Sequence, residues 1–237
     1  MKIESLLAHL CEKSYLDQPK FINLPIKPIG FEYFTIKHVQ AYLVQFKEYN
    51  VLVFRGTDSI KDWQQNLRVK AVETDWLASS VYVGFYEAFE ATWSEYLSNE
   101  DVIELLNTKT LYITGHSFGG CLAILSALKL KSLKPFSDFP ISVYTYGTPK
   151  FLINPNIKDY VPIYRYEMQG DIIPHLPLFN YTNIGKVIKL NHKYSRLLNW
   201  IVYSKYWFKL DITQLIRNHQ IETYVKLLPT AKNSKTS

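Results

Sequence analysis

The sequence predicts an α/β fold built on an open, mostly parallel β-sheet with helices on both faces. Three observations carry that prediction. Apolar runs of strand length alternate with helix-length segments along most of the 237 residues, the pattern of a layered α/β sheet. The run Leu111-Tyr112-Ile113-Thr114 suits a strand buried on both faces, as strands inside parallel sheets are. Directly after it stands Gly115-His116-Ser117-Phe118-Gly119, and then good helix formers from Cys121 to Leu130 without glycine or proline. Strand, tight turn and helix thus follow one another without a linker.

From the N-terminus, Ile3, Leu6, Leu7 and Leu10 recur at helical spacing, with Glu4 and Glu12 breaking any continuous apolar run. That is an amphipathic helix rather than a secretory signal. Val39 to Phe46 and Val51 to Phe54 read as neighbouring strands, with Lys47 to Asn50 as the turn between them. Phe85, Phe89, Thr92, Trp93 and Tyr96 form a helical apolar stripe that stops at the polar pair Ser98-Asn99. After the central strand, turn and helix come strands at Ser142 to Tyr146, near Ile163 to Tyr166, and at Val187 to Leu190. Gln220 to Leu228 closes the pattern as a last helix. Residues 1–230 are expected to form one domain, and the polar stretch 231–237 a frayed tail.

Composition excludes several classes of function. A hydrophobic content of 47% supports one substantial core. The net charge of +6 is spread along the chain, and the densest basic cluster, Lys129 to Lys134, falls at a helix end where cations suit the dipole. A nucleic-acid partner needs a denser patch and is not expected, whereas a mildly basic surface is compatible with anionic lipid. Two cysteines, Cys11 and Cys121, make no disulfide framework, so a reduced, cytoplasmic setting is expected. No apolar run is long enough to span a membrane.

The chemistry is concentrated in Gly115 to Gly119. With 9 glycines in the chain, a chance G-x-S-x-G is expected only about 0.02 times. The pattern is that of a nucleophile elbow, in which a strand turns sharply into a helix with serine at the apex. Glycines two residues either side of Ser117 leave room for the turn, and the helix N-terminus aims N–H groups at whatever Ser117 attacks. The N–H of Phe118, next after the nucleophile, is then an oxyanion donor. A serine nucleophile needs a base, and the base an orienting acid, in the chain order serine, acid, histidine. His9, His38 and His116 precede or adjoin the serine and drop out, leaving His175, His192 and His219. Asp171 leads as the acid, because it lies just beyond the strand-like Tyr164-Arg165-Tyr166, whereas Asp138 and Asp159 lie before strands. An ordinary surface aspartate is the alternative at that position. His175 is too close to Asp171 in sequence to bridge it to Ser117, and a loop-bracing role suits it better. Position alone leaves the base between His219 and His192, with His219 ahead.

Several segments together resemble the class 3 lipases, the α/β-hydrolase family typified by secreted fungal triacylglycerol lipases. Phe54-Arg55-Gly56-Thr57-Asp58-Ser59 resembles the family's oxyanion loop, with Asp62-Trp63 and Asn66-Leu67 following. Val83-Gly84-Phe85, Gly115 to Gly120 and Tyr146-Gly147-Thr148-Pro149-Lys150 resemble the next segments in order. Gly170-Asp171-Ile172-Ile173-Pro174-His175-Leu176-Pro177 resembles the acid loop, and Asn218-His219-Gln220-Ile221-Glu222-Thr223-Tyr224 the histidine motif. The resemblance covers about residues 40 to 228. It implies an α/β-hydrolase fold, His219 as the base, and the backbone N–H of Thr57 as second oxyanion donor; Thr57 on its own reads equally well as a cap or turn threonine. It also implies a lid around Ile60, Trp63 and Leu67, whose spacing would equally suit a fixed surface helix.

The expected function is carboxylester hydrolysis without metal or cofactor, on acylglycerols or phospholipids, with transient contact to a lipid interface. A soluble short-chain esterase is the alternative within that class, and a catalytically silent lipid-binding protein on the same fold the alternative outside it. Two departures from the family stand out. Neither disulfides nor a signal peptide is evident, which argues against an extracellular fat-digesting role. Asn183, in a segment read as a strand, stands where relatives often have histidine. The least family-like segment, Leu197 to Leu210, holds Trp200, Tyr203, Tyr206, Trp207 and Phe208 with Lys205 and Lys209 one helical turn apart. It reads as a core-packed helix with snorkelling lysines in preference to a cap over the acyl pocket or a lipid-docking surface. No oligomeric state is written in the sequence.

Overall fold

The fold is taken from a computed structural model, which describes residues 1–16, 24, 26–57, 70–74, 76–157, 161–177, 180–190 and 218–228. Helix α1 (Ile3–Lys13) is followed by strands β1 (Gly30–Ile36), β2 (Val39–Gln45) and β3 (Tyr49–Phe54). Short strands β4 (Ala71–Thr74) and β5 (Ser79–Tyr82) lead directly into helix α2 (Val83–Thr92), which runs on as a wider π-helical turn, Trp93–Leu97. Helix α3 (Glu100–Leu106) precedes β6 (Thr110–His116), and β6 turns at Ser117 into helix α4 (Phe118–Lys131). Strands β7 (Ile141–Tyr146), β8 (Leu152–Ile153), β9 (Ile163–Met168) and β10 (Lys186–Leu190) follow, and α5 (Ile221–Leu227) closes the described chain.

The main sheet has seven strands in the order β1-β2-β3-β6-β7-β9-β10. From β3 to β10 every neighbouring pair is parallel, and β2 runs against both β1 and β3. The expected mostly parallel sheet is therefore present. The antiparallel start follows from the tight turns after Ile36 and Gln45, which only antiparallel neighbours can use. A second, three-stranded antiparallel sheet, β4-β5-β8, is not foreseen by the sequence pattern. Its strands have two to four residues, too short to display a period.

Strand β3 explains why both faces need covering. Leu52 and Phe54 point into the core beneath α2 and α4, whereas Val51 and Val53 point into the core beneath α1 and α5. Successive side chains of a strand alternate faces, so a continuous apolar run builds two cores at once. Helix α4 is buried nearly all round, from Gly119 through Leu128 and again at Leu130. That is why its sequence is apolar without a polar face. Each fully buried leucine or phenylalanine contributes about 1.5–3 kcal/mol, and α4 is thereby held rigidly behind Ser117. Among the described residues, no helix is long and apolar enough to cross a membrane.

Candidate active site

The site lies at the carboxyl ends of the parallel strands, where open α/β sheets carry their chemistry. Ser117 sits between β6 and α4 with φ 56° and ψ −124°, a left-handed conformation that costs a non-glycine residue about 1–3 kcal/mol. The surrounding backbone enforces it. Ser117 N–H donates to Tyr146 O at 2.9 Å, and Gly120 N–H donates to Ser117 O at 3.0 Å. The turn closes so tightly that a Cβ on Gly115 would lie 2.2 Å from Gly119 O, and one on Gly119 would lie 2.3 Å from Phe54 O. Both glycines are therefore required by contact with backbone, which cannot move aside.

His219 and Asp171 complete a hydrogen-bonded line with the serine. His219 Nε2 is 2.8 Å from Ser117 Oγ, and His219 Nδ1 is 2.8 Å from Asp171 Oδ2. A carboxylate only accepts, so Nδ1 carries the proton and bare Nε2 is left to accept from the serine hydroxyl. All three residues are buried, Asp171 completely. The carboxylate is held by further donors: Ile173 N–H to Oδ1 at 2.9 Å and the Tyr224 hydroxyl to Oδ2 at 2.5 Å. Burial, and then the Asp171 charge, push the Tyr224 phenol well above its ordinary range, so it stays a donor. Tyr224 OH in turn accepts from Met168 N–H at 3.2 Å, at the end of the strand before the acid loop.

Two further contacts draw the separate segments together. Gly147, at the end of β7, has φ +62°, and a Cβ there would lie 2.8 Å from His219 Cε1 and 2.9 Å from Asp171 Oδ2. Only glycine leaves the histidine and aspartate room to meet. Asn218 Nδ2 donates to Gly170 O at 3.1 Å, tying the residue before the histidine to the residue before the acid.

The two residues expected to donate to an oxyanion, Phe118 and Thr57, stand at the start of α4 and in the loop after β3. Phe118 is the first residue of α4, and among the described residues no acceptor takes its N–H. It stands at the positive end of a 14-residue helix dipole. Thr57 ends the described part of the loop after β3, and that loop packs against the elbow: a Cβ on Gly56 would be 2.7 Å from His116 O. Chemically, the constellation can pass a proton from Ser117 to His219, direct the freed oxygen at a carbonyl, and meet the developing negative charge with N–H dipoles.

Of the other residues singled out by sequence, His175 lies in a 3-10 turn, Ile173–His175, directly after Asp171, and its N–H closes the turn onto Ile172 O at 2.9 Å. Asn183 is not in a strand, since β10 starts only at Lys186. Its amide instead donates to Pro149 O at 2.9 Å and Thr148 O at 3.3 Å, holding the segment after Gly147. His192, Asp159, the lid candidates Ile60, Trp63 and Leu67, and the aromatic segment 197–210 lie outside the described residues. Sequence reasoning gave no role to Tyr224 or to His116. The signal for Tyr224 was its place in the histidine motif, on the inward face of α5 with Ile221; for His116 there was none beyond adjacency to the nucleophile. Among the described residues, no group of three or more His, Cys, Asp or Glu side chains is arranged to hold a metal ion.

Comparison with known proteins places this architecture. The family profile described as lipase (class 3) matches residues 51–181. A lipase of Rhizomucor miehei is 30% identical over 145 residues, covering 57% of this chain and 40% of that protein. A secreted mono- and diacylglycerol lipase of Fusarium solani is 30% identical over 133 residues, covering 54% of this chain and 39% of its own length. The match thus spans about two fifths of the length of these curated relatives. Among solved structures, the triacylglyceride lipase of Rhizomucor miehei superposes with a TM-score of 0.67 at 23% identity, over 79% of this chain and 78% of that one. The fold is that of the α/β-hydrolases.

Proposed function

The chain belongs to the class 3 lipase family, and from that premise we propose that it is a serine carboxylester hydrolase acting on lipid esters through an acyl-enzyme. The observation that carries the proposal is the unbroken line from Ser117 Oγ through His219 to Asp171, at 2.8 Å and 2.8 Å, at the N-terminus of α4.

In the proposed reaction His219 Nε2 takes the Ser117 proton as Oγ attacks the ester carbonyl, and Asp171 holds the imidazole tautomer and balances the imidazolium. The carbonyl oxygen becomes an oxyanion, stabilised by the N–H groups of Phe118 and Thr57 at about 3–4 kcal/mol per donor. Collapse expels the alcohol, which takes the proton from His219. Water then repeats the sequence and frees the acid. The step needs no metal or organic cofactor, because charge develops only where N–H dipoles and imidazole already stand.

Acylglycerols or phospholipids are the proposed substrates, in keeping with the relatives named as mono- and diacylglycerol lipase and as phospholipase A1. The proposed lid is the stretch holding Ile60, Trp63 and Leu67, and a lipid interface is the proposed transient partner. The test is hydrolysis by the wild type and Ser117→Ala across ester chain lengths, acylglycerols and phospholipids. The proposal expects turnover that Ser117→Ala abolishes. A wild type that binds vesicles but hydrolyses nothing would overturn it in favour of a lipid-binding role.

A further inference from the structure

His116, the residue before the nucleophile, does more than fill the elbow. Its ring is buried and faces the ring of His219 at a centroid distance of 4.6 Å. His116 Nε2 lies 2.6 Å from the backbone carbonyl oxygen of His219. A carbonyl only accepts, so Nε2 must carry a proton and donate it. In a neutral ring the other nitrogen is then bare, and His116 Nδ1 lies 2.7 Å from the hydroxyl of Tyr15, which donates to it. Tyr15 follows α1 and sits under the oxyanion loop, where a Cβ on Gly56 would come within 2.0 Å of its hydroxyl.

We propose that His116, with its tautomer fixed by Tyr15, is a positioning residue that holds the backbone of His219 and keeps its imidazole aimed at Ser117. The proposal rests on the acyl-transfer reading of Ser117 and His219. The geometry also requires His116 to remain uncharged. During attack His219 becomes an imidazolium, and a second cation 4.6 Å away would oppose it. The titratable and charged groups around His116 fit that requirement. Tyr15 donates to Nδ1 from the end of α1, His219 and Tyr224 face the ring from the C-terminal segment, and Asp171 stands behind His219. The guanidinium of Arg55, after β3, lies over the outer Tyr15 ring at 5.4 Å. Burial, and then the neighbouring His219, push His116 well below the ordinary histidine range.

The test compares His116→Leu, His116→Gln, His116→Asn and Tyr15→Phe with the wild type. Two readouts are used: kcat and KM on p-nitrophenyl butyrate, and the far-downfield NMR resonance of the His219 Nδ1 proton. Leucine fills the space without a donor, so kcat should fall about 10–100-fold with KM nearly unchanged, and the resonance should broaden or vanish. Glutamine carries an amide N–H at the reach of Nε2 and should restore most of kcat and the resonance. Asparagine is too short for the carbonyl and should not, a contrast that decides the matter if the leucine variant fails to fold. Without the Tyr15 hydroxyl, bare Nδ1 takes a proton at higher pH. The acid limb of kcat/KM in Tyr15→Phe should therefore move to higher pH. Wild-type kcat and an unchanged resonance in His116→Leu, or no difference between glutamine and asparagine, would overturn the proposal. If the wild type hydrolyses no ester, the acyl-transfer reading fails, and the resonance alone still decides whether His116 positions the imidazole.

Discussion

At the scale of single residues, the site depends on how many donors converge on Asp171. A charged acceptor with three protein donors is well satisfied despite complete burial. Tyr224→Phe removes one donor, and hydrogen bonds to charged groups are worth about 1.5–3 kcal/mol. We expect kcat to drop about 10–100-fold with KM unchanged, read by steady-state kinetics on a soluble ester. Gly147 tests the opposite limit, since room rather than bonding is what it supplies. Gly147→Ala adds about 1–2 kcal/mol of left-handed backbone strain and a Cβ wedged between His219 and Asp171. Its melting temperature should fall by a few degrees while its activity falls far more, and equal small losses in both would contradict this role for Gly147.

At the scale of elements, the elbow was legible because its constraint is steric and local. Two glycines flanking a serine, between a strand and a helix, leave a backbone few alternatives, and Gly115 and Gly119 do stand against backbone atoms. Gly119→Ala should therefore abolish folding or activity outright, because Phe54 O belongs to β3 and has nowhere to go. Circular dichroism and ester turnover on the purified variant check this, and a folded, active protein would refute it. Asp171 was legible from its place after β9, since the carboxyl end of a parallel strand is fixed by sheet direction. His219 was not separable from His192 by position, because a histidine reaching in from another segment carries no local period. Motif resemblance was what distinguished them. Tyr224 and His116 went unassigned for the same reason: their roles are hydrogen bonds to residues tens of positions away. The small β4-β5-β8 sheet escaped because strands of two to four residues have no pattern to read.

At the scale of the whole molecule, the seven-stranded sheet joins segments from Tyr15 to Tyr224 into one site, so local titration is coupled to global stability. His116 is buried neutral, with its folded pKa well below the ordinary value of 6.5. Its contribution to stability is full above about pH 6.5 and is lost as pH falls below that, because the unfolded chain takes up the proton first. The slope approaches about 1.4 kcal/mol per pH unit for this one group. His175, lowered chiefly by burial, acts in the same direction. Urea midpoints should thus fall from pH 7.5 to pH 5, less steeply in His116→Gln, and equal slopes would contradict a neutral buried His116. The reaction proposed for this site has Ser117, driven by His219, as its nucleophile. The most direct measurement is reaction with diethyl p-nitrophenyl phosphate followed by peptide mass spectrometry. With Ser117 as nucleophile, a single diethylphosphoryl group is expected on the peptide holding Ser117, absent in Ser117→Ala and formed far more slowly in His219→Ala. A modification at another residue, or ester turnover that survives Ser117→Ala, would contradict it.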